Sequence, residues 1–443
     1  MKTSSIWMLA AALLCASGLA PAGAADARPD LTGQITETDG SPIGGASVFI
    51  YSAGPKQGTS SLCPSCYPDC QKKTQADAGG RFIIESLDSS LLFRVLVVAA
   101  GHESKLVSKV DPEKGSQKIS LKPVSEASLH SSLRVKGAVI NESGQPVAGA
   151  IISPEGVGLG ASTRWGGNDQ MVEPLAVADA AGHFVLFCKT NSMDAIYATA
   201  EGRGVAKQWV TLKPGGDYLI KLPVGVTLAG QVVRDGQPLS GVAIAAATKD
   251  HRCGVYFNCD ATFTDSNGRF LLLNVPPNRE FVVYGTMKSL AGSGVLPVKD
   301  VTTGDSGLVQ DLGQLVIQPA FSIAGQIVLS DGQPVPPGTR LFCGREAAMD
   351  SVETQLDAAG KFVIKGVPAE SVSLSIRIKG YRLSKRNPSL DWLNGSILGR
   401  VDSDVKAFTI LMEPGEWERN RDDDRPGGND DYPVNKPLRC LKL

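Results

Sequence analysis

Histidine is scarce in this chain of 443 residues, with only His102, His130, His183 and His251 present. None stands in a His-Glu-x-x-His or His-x-x-Glu-His pair, so the ligand set of a catalytic zinc is missing. There is no Walker loop and no Gly-x-Gly-x-x-Gly after a strand, which removes the usual phosphate cradles. Carboxylates are plentiful, but they lie in separate turns with no spacing that nominates an acid/base pair. Net charge is nearly absent as well: 44 basic and 45 acidic residues leave −1. That balance gives no electrostatic reason to expect nucleic acid or an anionic membrane as partner. Beyond the N-terminus no apolar run approaches the length of a bilayer, so no transmembrane anchor is expected. The absences leave no catalytic residue to name, and the expectation is a non-enzymatic protein.

What the chain has instead is repetition. Gly33-Gln34-Ile35 followed by Gly40-Ser41-Pro42-Ile43 recurs as Gly137-Ala138-Val139 with Gly144-Gln145-Pro146-Val147. It appears again at Gly230-Gln231-Val232 with Gly236-Gln237-Pro238-Leu239, and at Gly325-Gln326-Ile327 with Gly332-Gln333-Pro334-Val335. Each copy continues to Asp-x-x-Gly-x-Phe, at Asp77/Gly80/Phe82, Asp179/Gly182/Phe184, Asp265/Gly268/Phe270 and Asp357/Gly360/Phe362. Starts at 33, 137, 230 and 325 define a period of about 95 residues, enough for each copy to bury its own core. Gly and Pro pre-set turns, and alternating runs such as Phe93-Val95-Val97 and Leu374-Ile376-Ile378 carry the period-2 signal of half-buried strands. Each copy closes on an apolar strand that runs into Pro123, Pro223, Pro319 or Pro414.

This pattern resembles the carboxypeptidase regulatory-like family over about 29 to 416. The resemblance implies an all-β chain of four tandem seven-stranded antiparallel β-sandwich modules of prealbumin-like or Ig-like type. Function does not follow from it, since one sandwich serves as spacer, binding module or enzyme appendage. The expected layout is a signal peptide at 1–24, module 1 at 25–124 with a Cys-rich insert, module 2 at 125–226, module 3 at 227–320, module 4 at 321–416 and a polar tail at 417–443. The signal peptide is read from Lys2, the apolar stretch Ile6 to Ala20 and Ala22-Gly23-Ala24, and it implies secretion or a periplasmic location. Short linkers at Pro223 to Val226 and Pro319 to Ala320 predict a semi-rigid rod, hinged at Ser125 to Ser132. Some related Ig-like modules carry Lys-Asn cross-links, but the closing strands contain no Asn, which rejects that chemistry here. Gly304-Asp305-Ser306-Gly307 resembles the nucleophile segment of trypsin-like proteases only as far as Leu308, and reads as a polar turn.

Cysteine is the strongest chemical signal. Beyond Cys15 of the leader, Cys63, Cys66, Cys70, Cys188, Cys253, Cys259, Cys343 and Cys440 are candidates for disulfides in an exported protein. Cys253 and Cys259 flank one short loop, Cys343 is placed to tie Cys440 and the tail, and Cys188 is unassigned. No cofactor is expected, although Cys63, Cys66 and Cys70 also offer thiolates to a metal or to redox exchange. The segment between the second strand and Asp-x-x-Gly-x-Phe varies in length: 39 residues separate Pro42 from Phe82, but 27 separate Pro334 from Phe362. Long variable loops on a fixed sandwich are where recognition resides. Trp165 with Asn168 and Asp169, and Tyr256 and Phe257 with Asn258, combine a stacking ring with hydrogen-bonding groups suited to a sugar. The expected partners are therefore a polysaccharide or an extracellular or envelope protein.

Overall fold

The computed structural model describes residues 28–60, 64, 67–123, 133–165, 171–190, 192–249, 259–290, 292–388, 390–391 and 396–415. Its sheets fall into four pairs in chain order, each pair enclosing one apolar cluster. In the first module, Leu31–Thr36 lies between Arg81–Ile84 and Gln117–Ser120. Facing them are Lys73–Gln75, Ser47–Pro55, Leu91–Val98 and Lys105–Val110, in that order. The same plan repeats around Arg134–Asn141, Val226–Arg234 and Phe321–Leu329. Among the described residues, seven strands are common to all copies. Four short ones are added outside the first: Ser162–Trp165, Gln237–Pro238, Tyr381–Leu383 and Leu390–Asp391.

Alternation in sequence becomes alternation in burial. Leu31 and Ile35 point inward from the first strand, and Phe82 and Ile84 from its neighbour, with the residues between them facing out or half-buried. Strand pairing is antiparallel throughout the described residues except once per module, where the first strand runs parallel to the closing strand. The closing strand arrives by a crossover from the facing sheet, which brings it back in the direction of the first.

The repeated motif is one structural joint. In each copy the aspartate Oδ1 accepts two backbone N–H bonds: from Gly79 and Arg81 at Asp77, Ala181 and His183 at Asp179, Asn267 and Arg269 at Asp265, Ala359 and Lys361 at Asp357. The glycine three residues on has φ between 68° and 80° in the four copies, a left-handed conformation that disfavours any side chain. Its carbonyl then accepts the N–H of Ile35, Val139, Val232 or Ile327 on the first strand, at 2.7–2.9 Å. The phenylalanine two residues further lies opposite Gly33, Gly137, Gly230 or Gly325, and its ring occupies the space a Cβ there would need. At Gly230 such a Cβ would sit 2.8 Å from Phe270 Cε1, inside van der Waals contact.

Asp265→Ala removes two hydrogen bonds from the turn and is expected to cost about 1–3 kcal/mol. The check is hydrogen exchange along Val226–Arg234, which should accelerate while the matching strands of the other modules stay protected.

Candidate functional site

The insert of the first module is anchored by charge. Tyr67 is buried in that module's core, and the short 3-10 turn Pro68–Gln71 follows it. Asp69, at 2% exposure, accepts two hydrogen bonds from Arg28 Nη2 at 2.7 and 2.6 Å and one from the Asp88 N–H at 2.9 Å. Lys72 stands 3.0 Å from the same carboxylate and also donates to the carbonyls of Glu85 and Ser86. That lysine is therefore engaged in holding the turn. Cys70 is half-buried, with Sγ donating to the Pro64 carbonyl at 3.3 Å. Cys63 and Cys66 lie outside the described residues.

Trp165 ends the hairpin of Ile151–Leu159 and Ser162–Trp165, its backbone opposite Gly156. Asn168, Asp169, Tyr256, Phe257, Asn258, Cys253 and Cys440 lie outside the described residues, as do 1–27, 124–132 and 416–443. Cys259 begins the strand Cys259–Phe263 and pairs with Ala246. Cys188 and Cys343 carry free thiols in the cores of the second and fourth modules. Burial pushes the Cys188 thiol up to about 11, and burial with the nearby Asp350 charge pushes Cys343 up to about 12. A thiol held that high is a poor nucleophile and a poor metal ligand at neutral pH.

Three carboxylates raised by burial, Asp350, Glu353 and Glu173, lie at contacts between modules. Modules 3 and 4 meet around Arg345, whose side chain is 1% exposed. Its Nε donates to Glu370 at 2.6 Å, and its Nη atoms reach Asp350 at 3.4 Å and the module 3 carbonyls of Gly285 and Leu296 at 3.3 Å. Tyr284 lies beneath the guanidinium, 5.9 Å from its ring centre, and donates to the Met349 carbonyl. Asp350 also accepts the Met287 N–H at 2.9 Å, and burial pushes its carboxyl up to about 6 against the pull of Arg345. The strand Ala243–Thr248 is buried on both faces because one packs into module 3 and the other meets Ala348 and Met349 of module 4.

The other contacts are largely polar. Ser104 of module 1 bonds Glu173 of module 2, whose carboxyl is raised by burial. Glu142 of module 2 accepts from Ser306 of module 3 at 2.7 Å and from the Val224 N–H, and Trp209 packs against the module 3 core. Modules 1 and 4 also touch: Ser60 bonds Glu353, Thr59 donates to the Arg377 carbonyl at 2.6 Å and Arg340 donates to Ser90 at 3.2 Å. Gly58 and Gly338 oppose each other there so closely that a Cβ on Gly58 would collide with the Gly338 backbone. Contacts thus run from 1 to 2, 3, 4 and back to 1.

The expected rod is corrected to this closed arrangement. A short linker limits the separation of two modules and leaves their angle to whatever their sides can bury, and here the sides carry alanines, paired charges and apposed glycines. The runs Ala243-Ile244-Ala245-Ala246-Ala247 and Phe281-Val282-Val283-Tyr284, with no alternation of apolar and polar residues, are sequence signals of strands covered on both faces. Nothing in the sequence marks residues 60 and 353 as neighbours.

No family model matches the chain, and no curated protein matches it. Among solved structures, the Bacillus anthracis TIE protein is similar at 11% identity, over 87% of this chain and 73% of that one, with a TM-score of 0.18. A streptococcal ancillary pilin matches over 64% of this chain and 100% of its own at 10% identity and TM-score 0.22. The shaft pilin SpaA of Lactobacillus rhamnosus GG matches over 44% and 98% at 11% identity and TM-score 0.19. These likenesses are too distant to assign a family or an activity.

Arg345→Ala strands Asp350 and Glu370 without their buried cation and is expected to cost about 3–5 kcal/mol at the junction of modules 3 and 4. Limited proteolysis between the two modules, faster in the variant than in the wild type, is the measurement that checks it.

Proposed function

We propose that the chain is a non-enzymatic scaffold of carboxypeptidase regulatory-like modules, acting outside the cell or in the envelope and presenting its variable inserts to a partner. The observation that carries this reading is the contrast within each module. The Asp turn, its glycine and its phenylalanine repeat in all four copies, while the segment just before them varies from 27 to 39 residues between its proline and the phenylalanine. A frame kept constant around loops that differ is the arrangement of a binding scaffold. The ionisable groups support it too, since Asp350, Glu353 and Glu173 are spent on contacts between modules. No described helix is long and apolar enough to cross a membrane.

The finer form of the proposal is polysaccharide recognition through Trp165, Asn168 and Asp169 and through Tyr256, Phe257 and Asn258. Binding of the mature protein to an array of bacterial and host glycans tests it. Trp165→Ala and Tyr256→Ala should each weaken a captured glycan by about tenfold, and unchanged binding in both variants would sink the carbohydrate form. Native mass spectrometry of the same preparation, with and without reductant, separates a stapled Cys63 to Cys70 insert from one that holds a metal.

A further inference from the structure

The strand Ser351–Gln355, at the edge of its sheet in module 4, lies between two other modules. Asp350, just before it, meets module 3 at the Met287 N–H, and Glu353, within it, meets module 1 at Ser60. The groups facing Glu353 are Ser60 and Asp88 from module 1 and Arg340 from its own module, and the side chains of Arg340 and Glu353 are 15% and 12% exposed. Arg340 also reaches Ser90, and Arg377 gives its carbonyl to Thr59 at the same contact. The groups facing Asp350 are Arg345 and, through that arginine, Glu370, the buried Cys343 thiol, and the backbone N–H groups of Met287 and Ser351. Asp88 opposes ionisation of Glu353, and a single arginine at 3.5 Å is a long partner for a carboxylate so nearly closed to water.

We propose that this edge strand is a proton-linked fastener: with Asp350 and Glu353 taking up protons on docking, it holds module 4 against modules 3 and 1 in mildly acidic medium and loosens as the medium turns alkaline. The proposal is independent of what the inserts bind. Its sign follows from linkage. A carboxyl covered by a neighbouring module binds its proton more tightly than the same carboxyl in water, so docking takes up protons. Burial raises both carboxyls, that of Asp350 from 3.8 to about 6. Its contribution to docking is complete below the lower value and is lost as pH rises through the higher one. Lowering the pH from about 8 to about 5 therefore strengthens docking through the share of this burial that module 3 supplies, and Glu353 adds in the same direction. Thr59 and Ser60 stand at the base of the Cys63 to Cys70 insert, so release of the fastener would also free the base of that loop from module 4.

The experiment is small-angle scattering of the full mature chain across this pH range, beside the variants Glu353→Gln and Asp350→Asn and their combination. The amides keep the shape and the accepting oxygen of each carboxylate while removing the charge. The wild type should contract as pH falls, and the double variant should stay compact at both ends of the range. Dimensions that do not change with pH in the wild type overturn the proposal. So does a double variant that responds like the wild type, or one that stays open throughout, since the carboxylates would then act as ions. Hydrogen-exchange protection of the N–H groups bound by Asp77, Asp179, Asp265 and Asp357 reports in every sample that the modules themselves are folded.

Discussion

Each module rests on a phenylalanine ring laid over a glycine. The ring needs the absence of a Cβ on the first strand, and the first strand needs the ring as its inner cover. The Asp turn sets the register between the two, because its carboxylate fixes the strand entry and its glycine carbonyl takes an N–H from the first strand. With that pair placed, the first strand has one edge filled and the other free for the closing strand, so the three-stranded sheet follows. The opposite sheet then needs only apolar alternation to cover it, which is why its loops vary in length without disturbing the core.

Between modules, paired charges are added to the apolar contacts. The core clusters hold aliphatic and aromatic side chains, whereas the junctions hold Arg345 with two carboxylates, Glu353 with Arg340, and serines against Glu173 and Glu142. Apolar cores give each module its own stability, and charged junctions give orientation at little net gain, since desolvation offsets much of the Coulomb attraction. The modules are thus separate in folding and joined in arrangement.

The within-module part of this was legible in the chain. Gly-x-Pro, Asp-x-x-Gly-x-Phe and the alternating runs are local signals, and a turn that needs an aspartate and a left-handed glycine writes both at fixed spacing. The parallel pairing of Leu31–Thr36 with Gln117–Ser120 was not legible, because alternation says which face is buried and nothing about strand direction. The closure of module 4 on module 1 was hidden for a different reason: Ser60, Glu353 and Arg340 read as ordinary surface residues until the fold brings them together. The proposed recognition residues were suggested by composition within the long inserts, and most of them fall in segments for which alternation and turn chemistry offer no guide.

The parallel alignment of first and closing strands also decides how tension would travel through this molecule. In every module the chain enters at one end of the terminal strand pair and leaves at the other. A pull on the two ends would therefore slide these neighbours along each other, loading the rungs between them together. Where terminal strands run antiparallel, the same pull peels the rungs apart one after another. Once its junctions had opened, a chain of such modules would still meet stretching with its strongest direction.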